Sequence, residues 1–466
     1  MARVDNNFAP ANEFSLAPFT ITITGTNDTP TIESEAQTAA LEEQVGETGS
    51  GDELEATGAV EFVDVDLTDT HTVIVTGVTT DGTTSGLADN DTVFDWLQRG
   101  VLTDSTDVIT GSRPWTFSAE DHYFDYLAED ETVTLTYTVE VEDNNGATAT
   151  QDVVVTVTGS NDVPEVAIDT SGDNGLHAIA ELAGVTGNDT EQAATGSLAF
   201  RDVDLSDEHS FDDSGPTLVW LDANGDPLPL SISQQSVLTL GSTFELTLHE
   251  STGTGFGSID FSYSAQDYYF DFLAEGETLT ITYDVTVLDE HNGASTQPVT
   301  ITVTGSNDVP VAEADVGGGI VEAGHDINNV GLPGAPETFG NVLDNDIDVD
   351  ITDTHTVVGV AAGVATPLLG NVGQTIKGTY GWLTLSANGS WTYTLDNLDP
   401  ETNALAQGEQ ASDVFSYTQS DGHDGTSTTT LTINITGTND QPVANAEPVA
   451  VNDVGYSVSE QGVYDG

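Results

Sequence analysis

A seven-residue phrase, Thr-Gly-Ser/Thr-Asn-Asp-x-Pro, occurs four times, with its Asn at Asn27, Asn161, Asn307 and Asn439. An alternating apolar run precedes each copy: Phe19, Ile21 and Ile23; Val153, Val155 and Val157; Val299, Ile301 and Val303; Leu431, Ile433 and Ile435. The last apolar residue always lies four positions before the Asn, so one strand is used four times in one register. The Asn-to-Asn intervals are 134, 146 and 132 residues, each the length of one ordinary domain. Three complete modules follow, at 30–163, 164–309 and 310–441. Residues 1–29 read as the final strand of a preceding module or an exchanged strand. Residues 442–466 read as the start of a further repeat or an exchanged strand around Val454 to Glu460.

Each module is patterned for strands. Val133, Leu135, Tyr137, Val139 and Val141 alternate with polar residues, and Leu279, Ile281, Tyr283, Val285 and Val287 repeat the pattern. These runs end in acidic turns that begin at Asp143 and Asp289, and a third such turn begins at Asp421. Each of these three acids lies 19 residues before the Asp of the next phrase, the length of a turn and a return strand. Thr- and Val-rich strands, Gly/Asn/Asp turns and no convincing amphipathic helix predict an all-β chain of antiparallel sandwiches. The segments 119–131 and 265–277 read as a short helical turn or a strand connection. Their aromatics, Tyr123, Phe124, Tyr126, Tyr268, Tyr269, Phe270 and Phe272, are expected to plug the core.

Charge narrows the chemistry. Five Lys and Arg stand against 79 Asp and Glu, a formal charge of −74, which excludes a nucleic-acid partner. The acids recur at fixed places and the apolar residues alternate, which argues for a folded protein whose charge is neutralised by cations or tolerated in salt. There is no cysteine, so neither disulfides nor thiolate metal sites hold the fold. No apolar run of membrane-spanning length occurs, and residues 1–14 contain no hydrophobic signal core.

Between 36 and 40 residues after the phrase Asp comes Asp-Val-Asp-x-x-Asp-x-His: Asp64, Asp66, Asp69 and His71; Asp202, Asp204, Asp207 and His209; Asp348, Asp350, Asp353 and His355. In an extended segment Asp-x-Asp would place two carboxylates on one side, with the third folding back from a turn. Acids this close repel one another, and a Ca2+ ion with its six to eight oxygen ligands removes the conflict. A solvated Asx-rich turn is the plain alternative for one loop; three copies in register favour calcium. The loop is not an EF-hand and there are no Gly-rich nonapeptide repeats. Histidines opening the next strand read as surface groups or as hydrogen-bonded to the loop, since calcium disfavours nitrogen and no second His stands at zinc spacing.

The phrase Thr-Gly-Thr-Asn-Asp, the run from Asn341 to Asp350, and Tyr380 to Leu385 with Asn388 to Tyr393 resemble the VCBS and bacterial cadherin-like repeats of large RTX-type surface adhesins. The likeness covers nearly the whole chain and is strongest in the third module; the first two keep Trp115-Thr116-Phe117 and Ile259-Asp260-Phe261 where the tryptophan strand would fall. It implies calcium-dependent Ig/cadherin-like β-sandwiches strung end to end outside the cell, at the cell surface. By the same likeness, the Asn-Asp of each phrase (Asn27 and Asp28, Asn161 and Asp162, Asn307 and Asp308, Asn439 and Asp440), the next Asp-x-Asp, and a Glu near the start of that module (Glu43, Glu181, Glu322, Glu460) would share calcium. Asp121 and Asp267 are further ligand positions without a clear counterpart in the third module, and the turn acids Asp143, Asp289 and Asp421 complete the set.

The function expected is a rigid extender in adhesion or biofilm, with neighbouring repeats or identical subunits as end-to-end partners. One alternative is a filament built by terminal strand exchange. Another is a carbohydrate-binding array meeting surface glycans or a host or biofilm matrix. Trp96, Trp115, Trp220, Trp382 and Trp391 suggest the latter, but they do not recur at matching sequence positions. The recurring acids belong to the repeat frame and no catalytic signature is visible, so an enzyme is not expected.

Overall fold

The computed structural model describes residues 19–166, 175–364 and 369–441. Three apolar clusters form within them, one from Leu54 to Val157, one from Ala194 to Val303 and one from Ile320 to Ile435. Each fills the space between two sheets. In the first, Thr31–Ile32, Glu53–Val63, Thr110–Glu120 and Leu97–Arg99 make one sheet in that order. Gln37–Glu42, Thr148–Thr158, Thr132–Asp143 and His71–Gly82 make the other. Alternation decides which face is buried: Val133, Leu135, Tyr137, Val139 and Val141 all point inward, and the threonines between them do not.

The acidic turns join the longest hairpins as their spacing requires. Thr132–Asp143 pairs antiparallel with Thr148–Thr158, Thr278–Leu288 with Ala294–Thr304, and Gln410–Ser420 with Thr426–Thr436. One pairing in each sandwich runs the other way. Gln37–Glu42 is parallel to Thr148–Thr158, Leu176–Ala180 to Ala294–Thr304, and Asp315–Val321 to Thr426–Thr436. A parallel pair points both strand ends at the same pole. The Glu that follows each opening strand therefore lands beside the phrase that closes the same sandwich.

Several expectations change. Two short α-helices are present among the described residues, α1 (Asn90–Asp95) and α2 (Ile232–Leu240). Asp89 caps the first by accepting from the N–H groups of Asp91 and Thr92, and Ser231 and Gln234 form a capping box on the second. Each buries a single residue, Val93 or Leu238, too little for an amphipathic period to show. The aromatic segments hold one 3₁₀ turn each, Asp121–Tyr123 and Asp267–Tyr269. Phe124 and Phe270 are fully buried as expected, but Tyr268 is exposed. It lines an apolar cleft with Val237, Phe272, Val349 and Ile351, where the second sandwich meets the loop of the third. Leu205 likewise packs on the first core from the second module.

The tryptophan strand also falls in a different register. Trp115 pairs with Gly58, Trp391 with Gly340, and Phe261 with Gly196, so Phe261-Ser262-Tyr263 is the equivalent triplet. Trp115 and Trp391 thus do recur at one position, buried over a glycine and closed to a glycan. Residues 19–29 contain no strand, and Phe19, Ile21 and Ile23 are 88%, 71% and 88% exposed. Pro18, Glu460 and the segment 442–466 lie outside the described residues.

A Cβ on Gly58 would sit 2.4 Å from the Trp115 ring. Gly58→Ala should therefore destabilise the first sandwich by about 1–3 kcal/mol through overpacking. Because the three cores are separate, calorimetry should show one unfolding transition lowered and the others in place. Equal displacement of all transitions would contradict independent cores.

Candidate metal centres

The Asp-x-Asp segments are turns, which corrects the extended reading. The N–H of Asp66, Asp204 and Asp350 donates to Oδ1 of Asp64, Asp202 and Asp348, at 2.8, 3.0 and 3.1 Å. The turn sends the two carboxylates to different partners. Oδ2 of Asp66, Asp204 and Asp350 accepts the backbone N–H of the phrase acid, Asp28, Asp162 or Asp308, at 2.7 to 2.8 Å. Asp64 and Asp202 turn toward their own sandwich and are nearly or fully buried.

Asn27, Asn161 and Asn307 donate from Nδ2 to the turn acids Asp143, Asp289 and Asp421, at 2.9 to 3.3 Å. Each turn acid accepts in addition from the backbone of its own turn, through Asn145, His291 and His423. Phrase, loop and turn therefore meet wherever one module enters the next.

The glutamates belong to the opposite pole from the one expected. Glu43 accepts from Ser160 N–H, Glu181 from Ser306 and Glu322 from Thr438, at 2.8 to 3.0 Å. Each serves the phrase that closes its module, because the parallel strand pair delivers it there. Asp121 and Asp267 join the same pole, accepting from the N–H after the Glu, Gln44 or Leu182, at 3.1 Å. In the third module Asn397 takes this role, accepting from Ala323 N–H at 2.8 Å. It is the counterpart that the sequence did not disclose, since it stands in an unrelated turn.

Two acids that sequence reasoning missed complete the poles. Asp125 and Asp271 accept from Gly49 and Gly187 N–H at 2.7 Å. Their signal was present in the repeated Tyr-Phe-Asp, four residues beyond Asp121 and Asp267. Ligand atoms of Glu43, Asp125 and Asp162 lie within 4.8 Å of one another, as do those of Glu181, Asp271 and Asp308. The same holds for Asp64, Asp69 and Asp143, and for Asp202, Asp207 and Asp289. In the third module Asp348 and Asp353 keep the loop position, and Asp421 receives Asn307. Asn439 and Asp440 stand beside Glu322 at the last pole, with no following loop among the described residues.

Many of these oxygens are buried with no hydrogen-bond partner. Among them are Asp121 Oδ2, Asp125 Oδ1, Asp204 Oδ1 and both oxygens of Asp207 at the first joint. At the second are Glu181 Oε1, Asp267 Oδ2, Asp271 Oδ1, Asp350 Oδ1 and both oxygens of Asp308. A buried unpaired carboxylate is costly, and a hard cation with oxygen preference fits these donors.

Two of the three loop histidines are buried supports. His71 Nε2 lies 3.0 Å from Asp64 Oδ2 and Nδ1 2.8 Å from Asp104; His209 bridges Asp202 at 2.9 Å and Glu250 at 3.2 Å. His355 stands farther off, 3.6 Å from Asp348.

Burial, reinforced by neighbouring carboxylates, pushes Glu43, Glu181 and Asp204 up to about 9, Asp350 to about 8, and Asp162, Asp207 and Asp308 to about 6. Burial opposes charge on His71 and His209, yet their carboxylate partners hold both above the usual imidazole value. Groups raised on folding stabilise below their unfolded pKa and lose that contribution as pH climbs through the folded one. Metal-depleted protein should therefore lose thermal stability steadily between about pH 4 and pH 9. Saturating calcium should remove most of that slope. Melting curves across this range check both outcomes; a metal-free Tm that rises with pH would contradict the burial.

Residues 307–437 match the bacterial cadherin-like domain family. No curated protein matches the chain. Similar solved structures include protocadherin gamma B2 extracellular cadherin domains 1–5, at 14% identity over 90% of this chain and 62% of that one, TM-score 0.35. Mouse cadherin-23 EC22–24 is 14% identical over 88% of this chain and 100% of that one, TM-score 0.32. Drosophila N-cadherin EC1–4 is 12% identical over 89% and 76%, TM-score 0.27. The chain spans about three fifths of the length of the protocadherin gamma B2 structure. The family match therefore falls on the third module, which resembles a cadherin-like repeat.

Proposed function

We propose that the chain is a calcium-stabilised extracellular segment of a bacterial surface adhesin or fibre, acting as a rigid extender in cell adhesion or biofilm. The observation that carries this reading is the set of buried, partnerless carboxylate oxygens that recurs where consecutive modules meet. Calcium would be held at the first joint by Glu43, Asp121, Asp125, Asp162 and Asp204, with Asp202, Asp207, Asp289 and Asn161 alongside. Glu181, Asp267, Asp271, Asp308 and Asp350, with Asp348, Asp353, Asp421 and Asn307, would do so at the second. Glu322, Asn397, Asn439 and Asp440 offer the start of a third. Asn27, Asp28, Asp64, Asp66, Asp69 and Asp143 offer the same arrangement at the first module's entrance. The ions would bridge two modules at a time, so ion binding and interdomain stiffness are one event. The match of 307–437 to a bacterial cadherin-like domain supports an adhesive or extender role; the setting of VCBS and RTX-type repeats is proposed from the sequence resemblance alone. The sites do no chemistry on a substrate; their work is electrostatic cross-linking.

A second reading has one observation behind it: Phe19, Ile21 and Ile23 alternate with threonines, are exposed, and have no sheet partner among the described residues. Such a segment can complete the sheet of another copy and build a filament by strand addition.

Chelation should lower Tm and shorten the particle's maximum dimension in small-angle scattering, and calcium should restore both. An unchanged Tm and shape after chelation would sink the extender reading. Asp204→Asn, which removes a charge at the first joint alone, should weaken calcium binding there on the order of 10- to 100-fold and leave the second joint unchanged. Sizing in calcium separates the readings, since a strict monomer at all concentrations removes the filament.

A further inference from the structure

The acidic turn of the second module, Asp289 to Gly293, carries a histidine that the calcium reading does not use. His291 Nδ1 lies 2.9 Å from Oε2 of Glu129, a residue of the first module. A carboxylate only accepts, so in the neutral ring this contact places the hydrogen on Nδ1 and leaves the Nε2 lone pair free. Nε2 faces Asp207 Oδ1 at 3.9 Å. That gap is too long for a hydrogen bond. It lies within the span of two zinc bonds of about 2.1 Å that share one ion.

Asp207 supplies the second half of the observation. Its side chain is fully buried, and neither oxygen has a hydrogen-bond partner. Glu290, next to the histidine, adds a third donor, and ligand atoms of Asp207, Glu290 and His291 all lie within 4.8 Å of one another. One nitrogen and two carboxylates around a common point suit a borderline divalent transition ion. Calcium makes poor use of imidazole. A carboxylate on the far nitrogen is also the usual support of a metal-bound histidine, fixing its ring and tautomer.

The other two modules sharpen the assignment. In the third, His423 repeats the geometry, with Nδ1 3.3 Å from Glu275 and Nε2 3.9 Å from Asp353 Oδ1. There Gly422 stands where the second module has Glu290, so the third donor is missing. In the first, Asn145 occupies the histidine position and donates to Asp69 Oδ2 at 2.8 Å, so the nitrogen faces the acid with a hydrogen instead of a lone pair.

We propose that Asp207, Glu290 and His291 form a zinc-class site that adjoins the oxygen-only calcium position, shares Asp207 with it and is anchored across the joint by Glu129. Calcium can keep its place at Asp202 and Asp289 while zinc takes the oxygen of Asp207 nearest the imidazole.

The test uses the full chain in saturating calcium, titrated with zinc by calorimetry and with Co2+ as a spectroscopic probe. One ion per chain should bind, with a Co2+ absorption change that reports a nitrogen ligand. His291→Ala and Glu290→Gly should each weaken zinc by at least about 10-fold, while calcium-dependent melting stays at the wild-type value and certifies the fold. Zinc binding of wild-type strength in His291→Ala, or no saturable zinc binding in calcium, overturns the proposal. Either result leaves the calcium reading standing, because that reading is judged by chelation alone.

Discussion

A carboxylate removed from water needs a counter-charge, and this chain supplies almost none of its own. Lys377 is committed to Asp396 and Asp399, and Arg201 lies over the ring of Phe256 and reaches Asp125 at the first joint only through its field. The apolar cores can form regardless, for Leu135, Ile281 and Ile433 are buried without help from any charge. The poles are different: Asp207 is fully enclosed among other acids, with both oxygens idle. The apolar cores are thus built without charge, and the acids gather where one sandwich follows another.

Topology, more than composition, brings the acids together. A sandwich built only of hairpins would scatter its first and last strand ends over both poles. Parallel pairing of Gln37–Glu42 with Thr148–Thr158 instead places Glu43 against Ser160, and the same pairing repeats in both later modules. The 3₁₀ turn then swings Asp121 and Asp125 onto the same pole. The Asp-x-Asp turn and the acid of the hairpin turn come from the neighbouring module, so each joint draws its acids from two modules.

What was legible in the sequence is what is local. Alternation at Val133 to Val141 fixed the buried face, and the constant interval from Asp143 to Asp162 measured a hairpin that the sheets contain. The all-β class followed from alternation and turn chemistry, and the juxtaposition of phrase with Asp-x-Asp from the resemblance to cadherin-like repeats. Long-range register was hidden. The pairing of Trp115 with Gly58 and of Phe261 with Gly196 is set by partner strands dozens of residues away, so the tryptophan strand of the second module was placed two residues early. Glu43 was assigned to the wrong pole because nothing in a strand of six residues announces that its partner is parallel. Asn397 escaped because an equivalent position in space was reached by an unrelated route along the chain. The helices at Asn90–Asp95 and Ile232–Leu240 escaped because each hides only one side chain.

The parallel pairing also determines how a module answers a pull on its two ends. Tension drags the opening strand toward one pole and the closing strand toward the other, so the two are made to slide past each other along their length. Between Gln37 and Glu42 and their partners Val153 to Thr158, the whole ladder is loaded at once. A hairpin pulled from its open end gives way one bond at a time; this arrangement has no such end to peel. The chain is thus braced along the axis on which an anchored, extended molecule would be stretched.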